Sequence, residues 1–374
     1  MTRRRLLYLF NDAAFFLSHR LPVARAAADA YEVHVATPPS PAAAALGRYG
    51  LVHHPIALTR RGVNPAAQVA SLVAIARLYR RLRPDLIEHA TIKPVLYGGL
   101  AARALRQPAV VSWMTGLGFV FISQGSRAAL ARRAVAGGYR AALRRPGSWV
   151  IFENPDDRDL FLADGLTDPG RTRLILGAGV DMTLFHPAPE PPGVPVVVLA
   201  ARMLRDKGVV EFVEAARALR AAGTVARFVL AGPADLDNPA GLPEAQLRTW
   251  QDEGIVEWWG QRDDMADVLR GAHIVCLPSY REGLPKVLVE AAASGRAIVA
   301  TDAPGCREVV RHEWNGLLVP VRNAPALAEA IGRLLADPAE RARMGARGRE
   351  RVEGPFSDRH VIRETLALYA EAAG

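Results

Sequence analysis

The chain has little cysteine, hardly any lysine and no long apolar run. Its two cysteines, Cys276 and Cys306, form no Cys-x-x-Cys pair, which excludes a disulfide framework or a four-cysteine zinc site and fits a reducing compartment. No stretch approaches the roughly 18 unbroken apolar residues of a membrane-spanning helix. The arginine-led start at residues 1–10 runs straight into Asn11 and Asp12 without the small-residue cleavage pattern of a secretion signal. It reads as a first strand, and the expected location is cytoplasmic. No Gly-x-Gly-x-x-Gly follows the first strand of either half, which argues against a dinucleotide-dependent oxidoreductase. Nucleic-acid binding is suggested by charge alone, since no basic motif interleaved with aromatics is present.

What is present is 374 residues, half of them hydrophobic, with a formal charge of +9. That length exceeds what one hydrophobic core usually serves, so two domains are expected. The charge is uneven: residues 1–186 hold 24 Lys and Arg against 12 Asp and Glu, a net +12, whereas the rest is net −3. Because only Lys93, Lys207 and Lys286 are lysines, arginine richness in general is a weak signal. Its concentration in one half is a stronger one.

Short apolar runs alternate with helical patterns, the signature of βαβ units and parallel sheets. Strands are expected at residues 6–10, 33–36, 51–56, 86–89, 109–113, 149–152 and 173–176, then at 196–200, 227–231, 255–259, 273–277 and 297–300. The helix over 64–83 has Asn64 as a cap, Pro65 at its start and Pro84 as a stop. Residues 187–195 are proline-rich and aperiodic, so they read as a linker between a domain at 1–186 and a second at 187–355. A last helical pattern at 356–374 is expected to pack back across the junction. Two doubly wound sheets so joined leave a crevice at their carboxyl edges, where ligands of open α/β sheets bind.

The segment Ser279-Tyr280-Arg281-Glu282-Gly283-Leu284-Pro285-Lys286 follows an apolar strand and opens a helix. Backbone N–H groups and the positive end of the helix dipole make such a terminus an anion site, and a diphosphate could sit there. Glu282 precedes the helix and Glu290 lies on it, so carboxylates flank that site where sugar hydroxyls could be accepted. Taken alone, the two glutamates read more readily as ordinary exposed helix residues. The second element, Arg202 with Lys207 on the loop after the strand at 196–200, places two cations on the same sheet edge. They would stabilise phosphate oxygens as a leaving group gains charge.

Arg202, Lys207 and the Glu282 to Glu290 spacing, in this context, resemble the retaining family 4 glycosyltransferases of the GT-B fold, over nearly the whole chain. The resemblance implies two facing Rossmann-like domains, α/β throughout, with a C-terminal helix crossing back. It also implies that Arg202 and Lys207 bind the donor diphosphate, Glu282 contacts the transferred sugar and Glu290 binds the ribose. Gly283, Leu284 and Pro285 then supply backbone against the phosphates, and Gly260, Gln261 and Arg262 fall where the family holds the nucleobase. Trp258 and Trp259 read equally as core aromatics.

Residues 11–20, which include Ser18 and His19, are similar to a narrower branch, as are 91–98, Thr115 with Gly116 in the stretch 115–118, and 154–161. That branch comprises bacterial enzymes that extend undecaprenyl-diphosphate-linked saccharides, several of them α-1,3-N-acetylgalactosaminyltransferases. It implies transfer of a hexose or N-acetylhexosamine from a UDP-sugar to a polyprenyl-diphosphate-linked saccharide, in O-antigen, capsule or glycan assembly. Physically, a lipid diphosphate at a membrane surface suits the basic first domain. Residues 119–135 with Arg140, Arg144 and Arg145 are expected to form an interfacial helix, against the alternative of a solvated arginine face, and the protein is expected at the inner face of the cytoplasmic membrane. Lys93 is expected to pair with an acceptor phosphate, and His19 or His89 to bind hydroxyls. Gly-Gly in the first loop and a histidine after the fifth strand, common in family 4, are replaced here by Asn11-Asp12-Ala13-Ala14 and Met114-Thr115-Gly116.

No protein general base is nominated. Asp156-Asp157 and Asp263-Asp264 read as helix-start acids, so no metal ion or other cofactor is expected. Two rivals share the pocket: a nucleotide-sugar-binding protein without turnover, and a family 4 transferase with a soluble acceptor.

Overall fold

The computed structural model describes residues 3–58, 65–116, 126–236 and 238–374. The chain divides into two compact units, Met1–Ala178 with Arg359–Gly374, and Gly179–Asp358.

In the first unit seven parallel strands, β1 (Arg4–Leu9), β2 (Tyr31–Thr37), β3 (Val52–Pro55), β4 (Leu86–Ala90), β5 (Ala109–Met114), β6 (Ser148–Phe152) and β7 (Thr172–Leu174), run in the order β3-β2-β1-β4-β5-β6-β7. The second unit repeats the plan with β8 (Val196–Ala200), β9 (Arg227–Ala231), β10 (Glu257–Gly260), β11 (Ile274–Leu277), β12 (Ala297–Thr301) and β13 (Gly316–Val319), ordered β10-β9-β8-β11-β12-β13. Strands β4, β5, β6, β8, β11 and β12 are buried along their whole length. Helices cover both faces, which is why these strands are near-continuous apolar runs and not alternating ones, with Glu88 and His89 in β4 as the main polar interruption. Each sheet reverses its winding once, between β1 and β4 and between β8 and β11, and those reversals are where such sheets leave room for a ligand.

Three expectations need correction. The expected strands end at 297–300, yet Asn315-Gly316 opens an additional strand, β13, because the buried Asn315 side chain bonds the Val309 carbonyl (3.0 Å) and the Arg311 N–H (2.7 Å) and sets the chain alongside β12. The division between units falls at Ala178/Gly179, not at 186/187. Val180 is tied to the far end of the second unit by backbone bonds to Phe356 (3.0 Å) and Asp358 (3.1 Å). Finally, the proline-rich segment at 187–195 is a strap, not a free linker. Glu190 makes a two-pronged ion pair with the buried Arg341 (3.0 and 2.8 Å), and the Pro191 carbonyl accepts from His273 Nε2 (3.0 Å). Asn64, expected to cap the helix Pro65–Leu82, lies outside the described residues.

The C-terminal helix Asp358–Ala373 places Val361, Leu368 and Tyr369 in the core of the first unit. There Arg20 and Glu88, both without solvent exposure, form a two-pronged pair at 2.6 and 2.7 Å. Tyr369 Oη donates to Glu88 and lies 3.1 Å from Tyr8 Oη, while the Arg20 guanidinium sits 4.5 Å from the Trp113 ring centroid. Burial, followed by the Glu88 charge, holds both phenols far above their ordinary range. Breaking one side of a buried pair strands the other charge in a low-dielectric core. Glu88→Ala should therefore cost about 3–5 kcal/mol in urea unfolding, and Tyr369→Phe, which removes one hydrogen bond to the charged carboxylate, a smaller amount of about 1.5–3 kcal/mol. A Glu88→Ala curve that overlays wild type would contradict this assignment.

Candidate active site

The second unit gathers its polar side chains at the carboxyl ends of β8 and β11, where the winding reverses. The loop after β8 ends at Gly208, in a left-handed conformation with φ 71°. A Cβ there would stand 2.1 Å from the Pro278 carbonyl oxygen, so only glycine lets the two loops touch. Once touching, they are laced together. The Asp206 carbonyl accepts from Tyr280 N (2.9 Å) and Ser279 Oγ (3.0 Å), and Thr301 Oγ1 at the end of β12 donates to the Ser279 carbonyl. Tyr280 is held on its other side by a bond to Glu211 (2.6 Å), with Arg322 over its ring at 4.5 Å; burial and then Glu211 push its phenol up to about 12. Glu282 N bonds the Pro304 carbonyl at 3.1 Å, and Gly305, at φ 84°, leaves space that a Cβ would take from Glu282 and Gly283.

This lacing brings Lys207 Nζ to within 2.5 and 2.7 Å of the two Glu282 carboxylate oxygens. Arg202, earlier on the β8 loop, pairs with Asp235 at 2.6 Å. Asp235 stands on the loop after β9, which is stitched to the β8 loop by Met203 N to Pro233 O (2.9 Å) and Arg205 N to Ala240 O (2.8 Å). Both cations are thus held by carboxylates at the sheet edge, with Lys207 22 % and Arg202 41 % exposed.

The helix Lys286–Ala293 begins one residue later than Pro285, which serves as its N-cap. Its first intrahelical N–H bonds are Leu288 and Val289 to the Pro285 carbonyl. The preceding amides therefore lack helical acceptors and point out of the terminus. Glu290 is 6 % exposed and pairs with Lys286 at 3.0 Å. Burial raises its carboxyl above the ordinary value, and Lys286 opposes that shift. Gly260, Gln261 and Arg262 stand at the end of the edge strand β10, with Gly260 O accepting from Gly232 N at 2.7 Å. Arg262 pairs with Asp264, and Trp258 Nε1 donates to the Gly232 carbonyl at 2.9 Å, which ties that tryptophan into the sheet edge. Sequence reasoning missed Asp235 and the two loop-contact glycines. Asking which carboxylate neutralises Arg202 would have pointed to the loop after β9.

In the first unit the acceptor-side residues divide. Ser18 is exposed on the helix Ala13–His19 and bonds His19 Nδ1 at 2.6 Å, while the His19 ring stacks on Phe15 at 4.1 Å. Lys93, half-buried, immediately precedes the π-helical turn Pro94–Gly98, and burial lowers its ammonium pKa. Thr91, just before it, holds φ 70°, a strained backbone for a β-branched residue. Thr115 and Gly116 follow β5 and are half-buried, whereas residues 117–125, and with them the first seven residues of the expected interfacial segment, lie outside the described residues; the remainder of that segment belongs to the helix Ser126–Leu143. His89 must be corrected. It has no exposure and shares a 2.7 Å hydrogen bond with Tyr79 Oη, so it is a core histidine and does not face a ligand.

A pair of doubly wound parallel sheets, the second carrying cations, carboxylates and a helix terminus at its winding reversal, defines a GT-B glycosyltransferase. Residues 5–144 match the family described as "Glycosyl transferase 4-like", and residues 194–337 match "Glycosyl transferases group 1". The chain is 30% identical over 380 residues to N,N'-diacetylbacillosaminyl-diphospho-undecaprenol alpha-1,3-N-acetylgalactosaminyltransferase of Campylobacter jejuni, covering 98% of each chain. Among solved structures, sucrose-phosphate synthase from Thermosynechococcus elongatus superposes with a TM-score of 0.79 at 24% identity, over 99% of both chains. Anabaena Alr3699/HepE, solved in complex with UDP and glucose, gives a TM-score of 0.79 at 20% identity, over 99% of this chain and 100% of that one. The chain belongs to the group 1, family 4 glycosyltransferases. No helix among the described residues is long and apolar enough to cross a membrane.

His89 carries a pH dependence whose sign can be worked out. Burial, aided by Arg145, lowers its pKa from 6.5 to about 3, so the unfolded chain takes up a proton that the folded chain refuses. Stability contributed by neutral His89 is full above pH 6.5 and falls by up to ~1.4 kcal/mol per pH unit below it, until about pH 3. Urea midpoints at neutral pH and near pH 5 should therefore separate more for wild type than for His89→Gln. Equal pH slopes would show that His89 does not carry the effect.

Proposed function

We propose that this glycosyltransferase moves a hexose or N-acetylhexosamine from a UDP-sugar, with retention of anomeric configuration, onto a saccharide carried by a polyprenyl diphosphate at the cytoplasmic face of the membrane. The observation that carries the reading is the Lys207–Glu282 contact, made where the β8 and β11 loops meet beside the amides that open the helix Lys286–Ala293. The reading assigns the diphosphate to those amides with Arg202 and Lys207, the transferred sugar's hydroxyls to Glu282, and the ribose to Glu290, whose burial Lys286 offsets in part. Gly260, Gln261 and Arg262 are assigned to the base.

Donor binding exchanges one anion for another at each cation. Lys207 turns from Glu282 toward a phosphate oxygen, which frees the carboxylate to accept sugar hydroxyls. The bond from the anomeric carbon to the leaving phosphate then breaks, and negative charge grows on that oxygen beside the cations and amides. The acceptor hydroxyl attacks from the same face, and its proton passes to the departing phosphate, so no protein base is required. Charge neutralisation rests on side chains and amides, and the reading includes no divalent metal. Support for UDP comes from the Anabaena relative, whose structure holds UDP and glucose. Support for the lipid-linked acceptor comes from the Campylobacter relative, whose name specifies a diphospho-undecaprenol substrate, and from the net +12 of residues 1–186.

Glu282→Ala should lower transfer at least about a hundredfold, the scale of a lost transition-state contact, while UDP still binds. Lys207→Ala should weaken UDP binding about tenfold or more, as expected for a charge-assisted hydrogen bond. The measurement is transfer from UDP-sugars to extracted polyprenyl-diphosphate saccharides, with and without EDTA, with the product's anomeric configuration read by NMR. Near-wild-type transfer by Glu282→Ala would overturn the reading, as would UDP binding without transfer to any acceptor.

A further inference from the structure

The helix Pro65–Leu82 uses one face for the core. Ser71, Ile75, Leu78, Tyr79 and Leu82 are buried at helical spacing. At about 100° per residue, Ala66, Val69, Val73, Arg77 and Arg80 fall on the opposite face, in a line. Val69 is 60% and Val73 40% exposed, and Arg77, Arg80 and Arg81 are exposed as well. The outward face is therefore apolar in its first half and purely arginine in its second, over a span of roughly 16 Å from Val69 to Arg80. Beside it runs a groove of about 280 Å³ between Arg77 and Arg81, floored by Ile56, Ala57, Ala74 and Leu78.

A solvated helix face normally mixes charges of both signs and leaves few large apolar groups bare. Here residues 33–84 hold seven arginines and no Asp or Glu, and none of Arg77, Arg80 or Arg81 has an acidic partner among the described residues. The exposed face also carries no aromatic side chain of the kind that anchors protein interfaces. Exposed aliphatics beside unpaired guanidiniums suit one surface in particular: anionic headgroups above an acyl region, where valines immerse and arginines meet phosphates.

We propose that the outward face of Pro65–Leu82 is the surface by which this protein docks on anionic phospholipid bilayers. The proposal rests on the reading of a lipid-linked acceptor and adds the surface that meets the lipid. The valines enter the headgroup boundary, Arg77, Arg80 and Arg81 pair with lipid phosphates, and the opposite face stays fixed to the first unit's core.

The test is co-sedimentation of the full chain with vesicles of phosphatidylcholine, alone or mixed with phosphatidylglycerol, free of any acceptor saccharide. Wild type should bind the mixed vesicles, and high salt should weaken the binding. Arg77→Gln/Arg80→Gln/Arg81→Gln should lower partitioning on the order of a hundredfold, at about a factor of five per arginine. Val69→Ser/Val73→Ser should lower it several-fold without changing the salt dependence. Wild-type-like binding by the triple variant would overturn the proposal, as would equal binding of wild type to neutral and anionic vesicles, or none to either. Failure of the underlying reading has a separate signature: wild type would transfer sugar to soluble acceptors and not to a detergent-dispersed polyprenyl-diphosphate saccharide, whatever the vesicles show.

Discussion

Everything at the candidate active site depends on the close approach of two loops, the one leaving β8 and the one leaving β11. A parallel sheet that reverses its winding separates the paths of its two central connections, and the gap fills with whatever the loops carry. Here they carry a lysine and a glutamate. Gly208, lacking a Cβ, lets its loop reach the Pro278 carbonyl, and bonds from Ser279 and Tyr280 to the Asp206 carbonyl fix the register of the contact. The Lys207–Glu282 pair is the consequence. It stores a cation and an acceptor in a mutually neutralised state that an incoming anion can separate, which is a means of keeping charge near a helix terminus without leaving it uncompensated.

The same topology serves the first unit differently. Its winding reversal lies between β1 and β4, and the side chains buried nearby are committed to structure. Arg20 and Glu88 neutralise each other without access to water, and Tyr369 from the C-terminal helix completes the cluster. An electrostatic tie of this kind adds little net stability, yet it penalises any arrangement in which one member is withdrawn. It explains how the last helix of the chain is assigned to the first unit and not to the second, from which the chain arrives.

Much of this fold was legible in the sequence because strands buried on both faces are near-continuous apolar runs, and expected strands overlap twelve of the thirteen observed, the partly exposed β3, β7 and β10 among them. The exception, β13, begins at an Asn-Gly pair whose turn chemistry masked the short run Gly316–Val319 behind it. The strap at 187–195 was misread because proline-rich composition describes backbone stiffness and says nothing about long-range partners such as Arg341. At the candidate site, the loops bearing Arg202, Lys207 and Glu282, and the helix bearing Glu290, were legible from residue types following apolar runs. The counter-ion Asp235 was not, since its relation to Arg202 exists only once β9 pairs with β8. His89 failed for a related reason. A histidine at a strand end looks the same in sequence whether it faces solvent or, as here, Tyr79.

The central claim is that backbone amides at the start of the helix Lys286–Ala293, with Lys207 and Arg202, grip the donor diphosphate. Amide hydrogen exchange measured with and without UDP reads this most directly. The account predicts slowed exchange confined mainly to residues 283–287 and the loop at 202–208, with the slowing at 283–287 weakened in Lys207→Ala. Tight UDP binding that leaves those amides unprotected, or protects the first unit in their place, would contradict it.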